Sequence, residues 1–203
     1  NIYINNGAEK TKIKKVTNLG TVGWTRLDNA FYGCTNLTEF TVGSTDTSSV
    51  TQMGSMFFIC SNLTSLNLSS FDTSSVTQMG NMFRSCTGLT SLDVSSFDTS
   101  SVVSMSFMFS SCSALTSLDV SSFDTSSVLT MGEMFRLCGS SSLDVSLFNT
   151  SNVTNMSQMF YLCTALTSLD VSSFDTSSVT VMTDMFRNCN AVTSIVGVED
   201  FII

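Results

Sequence analysis

The chain has 203 residues, of which 42% are hydrophobic and only 12% charged, and its formal net charge is −8. So high an apolar content with so few charges excludes an intrinsically disordered chain. The acidic balance excludes the basic footprint that nucleic acid requires, and there is no apolar run of about 18 residues to insert in a membrane as a helix.

The chain begins at Asn1, without the apolar core of a signal peptide, and ends at Phe201-Ile202-Ile203, so it reads as processed or partial. Residues 1–36 read as an N-terminal cap and a partial repeat. Four of the eight cations, Lys10, Lys12, Lys14 and Lys15, gather there, and edge lysines discourage further strand pairing. The segment Trp24-x-x-Leu27-x-x-Ala30-Phe31-x-x-Cys34 matches the second half of the unit that follows.

Residues 37–191 hold six such units. Cysteines recur at 34, 60, 86, 112, 138, 163 and 189, always 26 residues apart except for one step of 25. All twelve methionines fall in a Met-x-x-Met-Phe element in the same register, from Met53-x-x-Met56-Phe57 to Met182-x-x-Met185-Phe186. Even spacing of this kind marks a repeat array and not a disulfide framework. In one unit, Leu92-Asp93-Val94 alternates apolar, polar, apolar, as a half-buried strand does. Ser95-Ser96-Phe97-Asp98-Thr99-Ser100-Ser101 reads as a corner whose Asp, Thr and Ser bond their own backbone. Val102–Met105 reads as a short second strand, and Met108, Phe109 and Cys112 as one helical turn. The unit from Ser141 is one residue short near Gly139, and residues 192–203 match the first strand of a further unit. One unit cannot bury enough apolar surface to offset its ordering entropy, so the units must stack as coils.

Leu89-x-x-Leu92-x-Val94 resembles the strand of a leucine-rich repeat. The combination LTSLDVSSFDTSSVTxMxxMFxxC is similar to the BspA-like surface-protein repeats, and most of all to the branch described as a domain of unknown function in mycoplasma surface lipoproteins. The resemblance covers about residues 24–200. It implies a leucine-rich-repeat-like solenoid, with one parallel strand plus a short second strand or helical turn per coil, carried on surface or secreted proteins and often linked to adhesion. It brings no catalytic residues. Phe97 and its equivalents stand where an ordinary leucine-rich repeat carries Asn.

Stacking turns each repeat position into a column. The cysteines read as buried free thiols or as disulfide or metal ligands. The methionines read as core, with soft-metal binding as the other reading. The column Asp46, Asp72, Asp98, Asp124, Asn149 and Asp175 suits a hydrogen-bonding corner residue, because Asn149 keeps an acceptor and drops the charge. Phe58, Arg84, Ser110, Arg136, Tyr161 and Arg187 form a solvated rim or a docking strip. The column Asp93, Asp119, Asp144 and Asp170, with Asn67 before it, points outward from the strand. Flanked by Ser91, Ser117, Ser142 and Ser168, it is the candidate ligand face. Carboxylates spaced ~4.8 Å apart repel by roughly 1 kcal/mol per pair in water, so the same four Asp form a candidate face for Ca²⁺ or for cationic ligand groups. No cofactor is expected beyond a weakly held Ca²⁺.

With no histidine, and with its Asp residues in copies of a single environment, the chain is not expected to be an enzyme. The expected function is a surface or extracellular adhesion or binding module whose partner is a host or cell-surface protein or a glycan. The alternative is a structural part of a larger assembly, such as a virion fibre, decoration protein or surface filament. Residues 192–203 carry no obvious polar cap, so on either reading they are expected to be covered by further sequence, another domain or another subunit.

Overall fold

The computed structural model describes residues 9–20, 22–43 and 45–201. The coils stack in sequence order with parallel register. Strands β1 (Lys15–Val16), β2 (Glu39–Thr41) and β3 (Ser65–Asn67) form one parallel sheet, with Phe40 beside Val16 and Leu66 beside Phe40. Strands β4 (Ser168–Asp170) and β5 (Ser194–Val196) form a second, followed by a 3-10 turn at Val198–Asp200. On the opposite side, one bridge per coil runs Arg26, Gln52, Gln78, Ser104, Thr130, Asn155, Val181. The expected second strand is therefore a single residue long.

The Met-x-x-Met-Phe-x-x-Cys segment differs from the expected helical turn: among the described residues there is no α-helix. It is a run of consecutive turns in which the residues two and six places after the first Met adopt positive φ, for example Asn81 at 60° and Ser85 at 59°. This splits the backbone donors into two sets. The N–H groups of Met79, Asn81, Phe83 and Ser85 donate to Ser104, Ser106, Met108 and Ser110 of the next coil, whereas Met82, Arg84 and Cys86 donate three residues back within their own coil. A helix would have spent every donor internally and left the coils unlinked. Ser, Asn and Gly at these places have weak helix propensity and tolerate the turn.

The core lies between the two sides. Phe31, Phe57, Phe83, Phe109, Phe135, Phe160 and Phe186 stack in one column with ring centroids 5.6–5.9 Å apart and planes within 11° of parallel. The column of Phe71, Phe97, Phe123, Phe148 and Phe174 is buried as well. Gly139 explains the short coil. It packs so closely on the Ser113 carbonyl that a Cβ would overlap it, which lets the chain cut the corner by one residue.

Two polar columns lie inside this apolar frame. Thr47, Thr73, Thr99, Thr125, Thr150 and Thr176 are buried. The hydroxyls of Thr73 and Thr99 donate to the carbonyls of Asp98 and Asp124 in the next coil at 2.9 Å, and Thr73 accepts the Asp98 N–H at 2.8 Å. Thr99 thus links coils instead of bonding its own corner. It supplies an inter-coil side-chain bond at the corner that follows Phe97. The cysteines are all free. Cys60, Cys86, Cys112, Cys163 and Cys189 donate S–H to the Phe carbonyl of the preceding coil at 2.9–3.1 Å.

Replacing Thr99 by Val keeps the shape but leaves a buried carbonyl unbonded, at a cost of about 1–3 kcal/mol. Urea unfolding should show that loss for Thr99→Val and a smaller one for Thr99→Ser. Burial pushes the Cys34 and Cys138 thiols up to about 11 from an ordinary 9.0, and the other thiols up as well. Because the folded thiols are the weaker acids, their contribution is fully present below pH 9 and declines as pH rises above it. At pH 8 a thiol reagent should modify Cys189, which is only partly buried, well before the five thiols from Cys60 to Cys163, and all seven cysteines in denaturant. Rapid native labelling of Cys112 would contradict this packing.

Candidate functional site

The candidate face is real as a surface: Asn67, Ser91, Asp93, Ser117, Asp119, Ser142, Asp144, Ser168 and Asp170 are all exposed. Each carboxylate is organised by a serine two residues on. Asp93 Oδ1 accepts the Ser95 N–H at 3.0 Å and its hydroxyl at 2.6 Å. Asp119 with Ser121, Asp144 with Ser146, and Asp170 with Ser172 repeat the arrangement, and Asn67 does so with Ser69. These bonds from the serines hold all four carboxyls below the ordinary carboxylate value. The Asp119 and Asp170 charges push Asp144 the other way, so successive carboxylates feel one another along the column. The serines were missed in the sequence, although Asp-x-Ser is the signature of an Asx turn.

The strand side is not continuous. Ser91–Asp93 makes no backbone hydrogen bond with Ser65–Asn67 or Ser117–Asp119. The next two junctions are held at their edge by the Ser141 N–H to Thr116 and the Thr167 N–H to Ser141, at 3.4 and 3.2 Å. The gap between the two sheets therefore spans Ser91–Asp93, Ser117–Asp119 and Ser142–Asp144. Two grooves open in it. One, of about 290 Å³, is lined by Leu66, Asn67, Leu68, Ser69, Asp93 and Ser96. The other, of about 350 Å³, is lined by Ser117, Leu118, Asp119, Ser121, Ser142 and Asp144. The structure thus brings Asn67 and Asp93 into one groove and Ser117, Asp119, Ser142 and Asp144 into the other. Ser91 lines neither, and Ser168 and Asp170 lie in the paired strand β4. Apolar floor residues such as Leu118 and the unpaired backbone were not visible in the motif.

Among the described residues no three Cys, Asp or Glu side chains come together to hold a metal ion. The carboxylates of the Asp93 column stand in a row and do not converge on one point. On another edge, Arg84 lies over the rings of Phe58 and Phe107 at 5.2 and 4.3 Å and Arg136 over Tyr161 at 5.3 Å. Arg136 and Arg187 also pair with Glu133 and Asp184. The cations of this strip are engaged within the chain, and its central Ser110 hydroxyl is buried without a partner.

Two solved structures resemble the chain. A leucine-rich-repeat protein of T. pallidum is 18% identical over 90% of this chain, with a TM-score of 0.41, and the match spans 64% of that protein's length. A leucine-rich cell surface protein of Faecalibacterium prausnitzii A2-165 is 16% identical over 90% of this chain and 78% of that one, with a TM-score of 0.22. No curated protein matches the sequence. A family model matches residues 25–135 and 82–198, spans that together run from the first Met–Cys-type segment to the last strand. The chain therefore belongs to the family described as mycoplasma protein of unknown function, DUF285, the branch that its repeated motif resembles.

Proposed function

We propose that this chain is a non-catalytic binding module displayed at a cell surface, and that its Ser/Asp face receives a surface protein or a glycan. The observation that carries the reading is the opening of the strand side into two grooves at the columns of exposed Asp and Ser. One groove joins hydroxyls with the Asp93 carboxylate and two leucines, the other joins hydroxyls with the Asp119 and Asp144 carboxylates and Leu118. That combination suits ligands with hydroxyl or ammonium groups on a partly apolar body. The same groove recurs two coils apart, so a repeating ligand can occupy both and gain avidity. The surface setting follows the resemblance to BspA-like surface repeats. Catalysis is disfavoured because histidine is absent and the carboxylates share one environment, with no second group to divide acid and base roles.

A glycan array and a panel of cell-surface proteins, screened with the purified chain, test this reading. Ser142→Arg fills the larger groove with bulk and should raise the Kd of any ligand found by more than about tenfold, whereas Ser75→Arg on the corner should leave it unchanged. Ligands that bind Ser142→Arg and Ser96→Arg as tightly as the unaltered chain would remove the grooves as the site.

A further inference from the structure

We propose that Asp93, Asp119 and Asp144 act as an electrostatic wedge that keeps the strand side of the solenoid unlaced, and that neutralising them lets one parallel sheet run the length of the chain. The inference rests on which junctions are laced. The residue at this position is Thr17 in the first coil, Thr41 in β2 and Asn67 in β3, and these strands are paired. Cross-strand attraction helps there too, since Lys15 and Glu39 form an ion pair at 2.6 Å. At the far end Asp170 lies beside Val196, and β4 pairs with β5. No paired junction places two carboxylates side by side. The three junctions that do, Asp93–Asp119, Asp119–Asp144 and Asp144–Asp170, all lack the ladder, the last two keeping one edge bond each, and the bordering Asn67–Asp93 junction, with a single carboxylate, lacks it too.

Like charges directly opposite one another oppose strand pairing. Their repulsion is comparable to the net contribution of one or two exposed backbone hydrogen bonds. An Asp with charge on both sides feels it twice. The capping serines hold each carboxylate close to its own backbone, so it cannot swing away from its neighbours. Among the described residues, Arg84, Arg136 and Arg187 belong to the other edge, where rings or carboxylates engage them. The coils stay together because the turn segments and the Thr column bond across every one of these junctions. The wedge therefore separates only one side of the stack. The inference concerns the backbone and stands whether or not the face holds a ligand.

Amide hydrogen exchange on the triple variant Asp93→Asn, Asp119→Asn, Asp144→Asn tests it. Asn preserves the serine cap, as Asn67 shows, and removes only the charge. Protection factors across Ser91–Asp93, Ser117–Asp119 and Ser142–Asp144 should rise by about tenfold, the ratio that roughly one net backbone hydrogen bond supports. Those of Met79–Cys86 should not move. Asp119→Asn alone should give the rise at the two junctions that flank Asp119 and leave the Asp144–Asp170 junction unchanged. The unaltered chain should gain the same protection only once the pH has fallen below the serine-lowered carboxyl values, where the column is neutral. Ser95→Ala with Ser121→Ala keeps the charges and only frees two carboxylates to move apart, so it should give a clearly smaller rise. Unchanged exchange in the triple variant, or an equal rise in the serine variant, would overturn the wedge.

Discussion

The structure depends on the division of backbone hydrogen bonds in the Met–Cys segments. Alternate N–H groups serve the segment's own turns and the next coil. That division needs left-handed residues at two fixed places in every coil, and the chain accepts them even at Ile59, Phe107 and Leu162. Such backbone is uncommon for bulky side chains and is retained only where the surroundings over-determine it. Here the surroundings are a stack of near-identical turns, each held by the one above and the one below. A single coil has neither neighbour, so the conformation belongs to the array and not to the unit.

Once the turns are in register, the rest follows as columns. The Phe rings stack because their Cα atoms are already aligned, and the thiols meet Phe carbonyls for the same reason. The threonine hydroxyls reach into the next corner and satisfy polar groups that would otherwise be buried unbonded. A column amplifies whatever its residue does. A favourable contact is repeated at every junction, and so is an unfavourable one. The outward Asp is the second kind. At one coil a carboxylate on the strand face is a solvated group of little consequence, but in four consecutive coils it becomes a line of like charge.

This asymmetry separates what holds the stack from what lines the grooves. The turn side and the Thr column hold the stack, so the strand side can open into grooves without loss of the fold. The short coil at Gly139 shows the same tolerance. A missing residue is absorbed by a close backbone approach, with the Gly139 N–H donating to the Cys112 carbonyl at 3.2 Å.

The sequence by itself determined the repeat, its length, the coil stack, the buried columns and the exposure of the Asp and Ser residues. These follow from periodicity, because a side chain that recurs at a fixed interval must meet its copy in the next coil. It also carried the corner role of Asp98 and its equivalents, since Asp-x-Ser closes a turn within three residues. Only the tertiary structure decided that Met105–Cys112 is a ribbon of turns and not a helical turn. Apolar spacing of three and four fits both, and the choice rests on hydrogen bonds to a neighbour that a single unit does not contain. The same holds for Thr99, whose partner lies 25 residues away. It holds for the open strand face, which is a balance between charges in successive coils and is written in no one of them.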